Sequence, residues 1–214
     1  GNRAKTIRRN RRQHPESDTP MPNAPKIEIS AYPALPKLYK DMIFHGAKKR
    51  APGQPLPELP AVWNNAQADP AQLDTYNALC GFPQSDTLPI TYPHILIFGL
   101  QVAILSHSEF PLKPMGTVHQ RQHIHQRRPI RTGEAMNLSC RIGAQRVVKA
   151  GLEFDMISEV RVQGEPVWQG VSAYLSRGTR FGEPGEPHPW SQMADIETSG
   201  PEKRWRIPND LGKR

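Results

Sequence analysis

The chain has 214 residues, 23 of them proline, with an apolar share of 36% and a formal net charge of +8. That length exceeds one ordinary domain, but so much proline and so modest an apolar share leave one packed core with long peripheral segments. The longest nearly apolar run, residues 95–105, falls short of the roughly 20 residues a membrane span needs, so it predicts a buried helix and no membrane partner.

Six basic residues stand in the first twelve positions (Arg3, Lys5, Arg8, Arg9, Arg11, Arg12), with no apolar periodicity to fold them. Residues 1–20 therefore read as a disordered basic tail, upstream or non-native sequence ahead of the domain that opens at Met21. A targeting peptide would need an apolar face, which this stretch lacks. Because the tail is the main concentration of positive charge, no nucleic-acid partner is expected.

Residues 21–87 read as an arm, a linker and a short helix. Residues 26–30 alternate, a helical turn is suggested around 38–45, and residues 52–60 are proline-rich. Asp69 then precedes Pro70, an N-cap followed by proline at the first helical position, and Leu73, Tyr76 and Leu79 recur at helical spacing. The spacing predicts an amphipathic helix over 71–79 that ends at Gly81.

Pro89 and Pro93 are expected to hold residues 88–94 extended. Residues 95–107 are then a helix with no solvent face, and something must wrap it. Four segments with a two-residue period supply the wrapper: residues 117–126, 135–142, 151–162 and 167–175. In the third, Leu152, Phe154, Met156, Val160 and Val162 point one way while Glu153, Asp155, Glu159 and Arg161 point the other. An apolar helix followed by an antiparallel meander with one greasy face predicts an α+β fold of the hot-dog kind, its core over 88–178. Residues 179–203 read as a linker and residues 204–214 as the start of another ordered unit. Cys80 and Cys140 lack CxxC spacing, so reduced thiols in a cytoplasmic protein are the expectation.

The segments LPITYPHILIFGLQVAIL (88–105), FPLKPMGTVHQRQHIHQRRPI (110–130), GEAM (133–136) and EPVWQGVSAYLSRG (165–178), in this order, resemble the N-terminal half of MaoC-like acyl dehydratases with two fused hot-dog repeats. The ending RWRIPNDLGKR is similar to the lead-in to the second repeat. The resemblance implies an (R)-specific enoyl-thioester hydratase or 3-hydroxyacyl-thioester dehydratase acting on a coenzyme A or acyl carrier protein thioester. It also implies that the catalytic Asp and His follow Arg214, that a second hot-dog repeat or partner subunit completes the protein, and that the protein is a homo-oligomer. No cofactor is implied. Hydration needs a base for the water and backbone N–H groups at a helix N-terminus to polarise the thioester carbonyl. In this repeat the matching turn is Thr-Tyr-Pro-His94, and its nearest upstream carboxylate, Asp86, is eight residues away across Pro89. That spacing departs from the family's active turn, so catalysis is assigned to the following repeat.

Tyr92, His94, Gly116, His119 and Trp168 are the candidate substrate-binding residues. His94 would aim its imidazole at ligand from the helix start, or serve as a hydrogen-bonded plug. Gly116 would let backbone approach the acyl chain or pantetheine, or simply enter a strand. Trp168 is a packing residue and a wall of the tunnel. His119, Arg121, His123, His125 and Arg127 share one strand face in this reading, and its three histidines spread over roughly 20 Å, too far apart for one metal ion. Arg127, Arg128 and Arg131 are weighed as contacts for coenzyme A phosphates against ordinary surface charge. Rival functions are a hot-dog thioesterase and a non-catalytic acyl-thioester-binding or scaffold protein.

Overall fold

The computed structural model describes residues 27–34, 54–114, 116–178 and 185. A six-stranded sheet curls around one apolar helix. The elements are β1 (Ile27–Glu28), β2 (Ala61–Ala66), α1 (Pro70–Cys80), α2 (Tyr92–Leu105), β3 (Thr117–Gln126), β4 (Met136–Val148), β5 (Gly151–Val162) and β6 (Glu165–Arg177). The sheet order is β1-β2-β4-β5-β6-β3. All pairings are antiparallel except the short β1–β2 pair. This is the α+β hot-dog arrangement expected from the sequence.

Local chemistry sets the turns. Gln163 and Gly164, with φ of 51° and 85°, join β5 to β6 through a two-residue loop, the hairpin geometry that matches strand twist. Helix α1 starts as its sequence dictates: the Asp69 carboxylate accepts from the Gln72 N–H at 2.8 Å, Pro70 follows, and Gly81 ends the helix in the left-handed region. Its buried face is Leu73 and Asn77; Leu79, expected inside, is 48% exposed.

Helix α2 differs from expectation at both ends. It begins at Tyr92, so Pro93 and His94 lie in its first turn, and it ends at Leu105. Proline costs nothing there, because the first N–H groups of a helix have no partner within it. The helix is also not sealed all round, since His94, Ile95, Phe98 and Ala103 are only partly buried. Tyr32 and Pro33 lie against Gly99, where a Cβ would stand 2.8 Å from the proline Cδ.

Three further readings change. The proline-rich stretch taken as linker carries fully or nearly buried Leu56 and Leu59 and leads into β2, so the core begins upstream of residue 88. The β2 sequence AVWNNA is short, and a register break between Trp63 and Ala66 hides its alternation. β4 continues to Val148 through a second break between Ile142 and Gln145. Finally, Glu153 and Asp155 do point away from the helix, yet both are buried. Arg146 bonds the Glu153 carboxylate at 3.0 Å and grips Asp155 with two bonds, and Arg121 meets Glu153 at 2.6 Å. The basic tail, the linker apart from Gly185, and residues 204–214 lie outside the described residues.

Candidate functional site

Helix α2 packs on β2, β4 and β5 and meets β6 and the edge strand β3 through the Gln101 and His94 side chains. The helix-facing side of β3 is open, with His119 and Gln122 exposed. The first turn of α2 and the helix-facing side of β3 frame the candidate groove.

His94 and His119 meet across this groove with ring centroids 5.8 Å apart. His119 in turn stacks on Tyr174 of β6 at 4.8 Å and 21°. The two strands bring His119 and Tyr174 together as a directly opposed pair. The His119 Nε2 lies 3.0 Å from the Arg121 carbonyl, which can only accept, so Nε2 carries a proton in this contact. Burial, reinforced by neighbouring His119, pushes the His94 pKa down to about 4, so its imidazole is neutral near pH 7. Its Nδ1 is buried without a hydrogen-bond partner.

The strand readings need one correction here. A bulge between His119 and Arg121 shifts the register, so His119 faces the helix while Arg121, His123 and His125, opposite Ala173, Val171 and Gln169, face outward. These residues do not share a face, and among the described residues no group of three His, Cys, Asp or Glu could hold a metal ion.

The other candidates are placed as follows. Tyr92 is fully buried; its hydroxyl donates to Gln72 at 3.3 Å and its ring packs edge-on against Tyr76 at 5.4 Å. Burial and nearby Asp69 raise its pKa to about 12, so it is a neutral link between α1 and α2. Trp168 is also fully buried, and its indole N–H donates to the Ile90 carbonyl at 2.9 Å, tying the entry of α2 to β6. Gly116, at φ 94°, sits in a turn closed by the Thr117 N–H on the Pro114 carbonyl, with open space around it. Of the arginines weighed for phosphate, Arg128 is engaged by Glu134 and Glu165, and exposed Arg131 lies 3.7 Å from Asp86.

The chemistry of the groove is limited by two facts. Asp86 faces Arg131 at the surface, and among the described residues no carboxylate is bonded to His94 or His119. The first turn of α2 also has no spare donor at its leading positions: the Tyr92 N–H goes to Pro89, Pro93 has none, and the His94 N–H goes to Thr91 at 3.2 Å. The sequence alone did not single out Gln101, Ser172 and Gln122, which form a polar bridge from the buried helix to the exposed edge strand beside the groove. The sign was Gln101 itself, a polar residue inside an apolar helix, which must find partners.

An antiparallel sheet curled on a central apolar helix, with a groove at the helix start, defines a hot-dog protein. No family model matches the chain. It is 31% identical over 134 residues to 3-hydroxyacyl-thioester dehydratase X of Mycobacterium tuberculosis, a match covering 63% of this chain and 48% of that protein. A crystal structure of HtdX from the same organism matches with 29% identity and a TM-score of 0.53, covering 55% of this chain and 51% of the other. A second HtdX structure gives 30% identity and 0.51, over 59% and 52%. The chain is thus related to the MaoC-like hot-dog dehydratases, and it spans about half the length of the curated relative it matches. Among the described residues no helix is long and apolar enough to cross a membrane.

Proposed function

We propose that this chain is the acyl-pocket half of an (R)-specific enoyl-thioester hydratase or 3-hydroxyacyl-thioester dehydratase. It holds the acyl thioester, carried on coenzyme A or acyl carrier protein, in the groove between α2 and β3. A second hot-dog repeat or partner subunit supplies the acid–base pair. The observation that carries this reading is His94: a neutral imidazole with an unpartnered Nδ1, at the start of the central helix and opposite His119, with no carboxylate bonded to it. A positioned base is worth about 10² to 10⁴ in rate only when it can take a proton at the working pH, and a group that protonates near pH 4 is a weak one. His94 is suited instead to a hydrogen bond with ligand.

The same observation favours acyl-thioester binding without catalysis as the second reading, should no second repeat be joined to this one. Calorimetric titration of the 214-residue chain with crotonyl-coenzyme A tests the binding role. Saturable binding that weakens about tenfold in His94→Leu, the loss of one buried hydrogen bond, supports it. Absence of binding, or binding indifferent to His94→Leu, removes it.

A further inference from the structure

Gln101 lies midway along α2 and is fully buried. Both ends of its amide are used: Oε1 accepts from the Tyr174 hydroxyl at 2.8 Å, and Nε2 donates to Ser172 Oγ at 2.8 Å. Ser172 Oγ passes the chain on, donating to Gln122 Oε1 at 2.6 Å on the edge strand. The central helix is thereby cross-linked to β6 and β3 across the floor of the groove. Behind Tyr174 stand the rings of Phe154 and then Phe110, each centroid 5.8 Å from the one before, and both rings are buried.

We infer that the Gln101–Tyr174 bridge is the stop that sets how much of an acyl chain this repeat buries, so that affinity stops rising once the chain reaches it. This rests on the acyl-pocket reading. An acyl chain entering beside His94 and His119 reaches Tyr174 as the next ring in line and cannot continue between helix and sheet without parting the bridge. A methylene gained by burial is worth about fourfold in affinity. Leaving one buried polar partner unmet costs about five- to a hundredfold, and the bridge holds several such partners. Lengthening the chain by one or two carbons therefore cannot open it.

The test is calorimetric titration of the intact chain with butanoyl-, hexanoyl-, octanoyl- and dodecanoyl-coenzyme A. Wild type should bind all four within about threefold of one another, because methylenes beyond the stop stay in water. Tyr174→Ala, which removes both the ring and its bond to Gln101, should gain about fourfold per added methylene, while Tyr174→Phe, which keeps the ring but cuts the bond to Gln101, should show a smaller rise with length. The wild-type series decides by itself should Tyr174→Ala fail to fold. Affinity that climbs steadily with length in wild type overturns the stop but leaves the acyl-pocket reading standing. Absence of binding at every length overturns both.

Discussion

The Trp168 indole occupies the space that a side chain on Gly170 would need: a methyl group placed on Gly170 would stand 2.5 Å from the ring's Cη2. The two residues lie on the helix-facing side of β6, and the ring is fixed there by its bond to the Ile90 carbonyl. Being fully buried and tethered at one end, the ring has little freedom to give way. Gly170→Ala should therefore destabilise the fold by about 1–3 kcal/mol, the usual cost of overpacking. Urea denaturation measures it, and a change below about 0.5 kcal/mol, the size of an ordinary surface substitution, would show that the ring moves freely.

On the outer face, Arg146 holds two buried carboxylates at once, with side chains of Glu153 and Asp155 only 5% and 8% exposed. Arg146→Met keeps the length of the side chain but takes the guanidinium away from both carboxylates and leaves Glu153 to Arg121. Breaking one side of a buried ion pair costs about 3–5 kcal/mol, so this substitution should be the most damaging of those considered at neutral pH. The variant should also recover stability relative to wild type as pH falls. Burial resists the charge on Glu153, but Arg121 and Arg146 overcome it and hold its pKa below the usual carboxylate range, a stabilisation present above the unfolded pKa and lost on acidification. A parallel decline of both proteins with falling pH would rule out the linkage.

His94 gives the opposite kind of linkage. Its pKa falls from 6.5 to about 4 on folding, so between those values the unfolded chain takes up a proton that the folded chain refuses. Stability should drop as pH falls through that window. Wild type should lose about 1–3 kcal/mol more than His94→Gln between pH 7 and pH 4.5, judged by urea melts. Equal losses would mean that the imidazole is solvated.

Much of the fold was legible because its signals are local. The two-residue period of β5 and β6 survives unbroken over most of their length, and the Asp69-Pro70 cap and Gly81 mark α1 directly. What escaped were features set by tertiary pairing. The bulge at His119 reverses the strand's facing, so a row of alternating His and Arg looked like one face. The strand Ala61–Ala66 is held by partners remote in sequence, and the proline run before it concealed buried Leu56 and Leu59. Of the candidate site, His94 and His119 do converge, while Tyr92 and Trp168 are buried within the packing around the helix start. Tyr174 and Gln101 belong beside the histidines, a placement set by the pairing of β3 with β6 and by the packing of α2 on the sheet, both remote in sequence.

The division of labour between an acyl-holding half and a separate acid–base half is the central claim, and a hydration assay tests it most directly. The loss of enoyl absorbance of crotonyl-coenzyme A would be followed with the 214-residue chain, its His94→Ala variant, and this repeat joined to a second hot-dog repeat of the dehydratase family. The chain alone should turn over at least about 10²-fold more slowly than the joined protein, the least that a missing general acid or base costs, and His94→Ala should lower that residual rate by no more than the about tenfold weakening of binding. Hydration by the chain alone at a rate comparable to the joined protein, abolished by His94→Ala, would contradict the division and make the groove of His94 and His119 a complete active site.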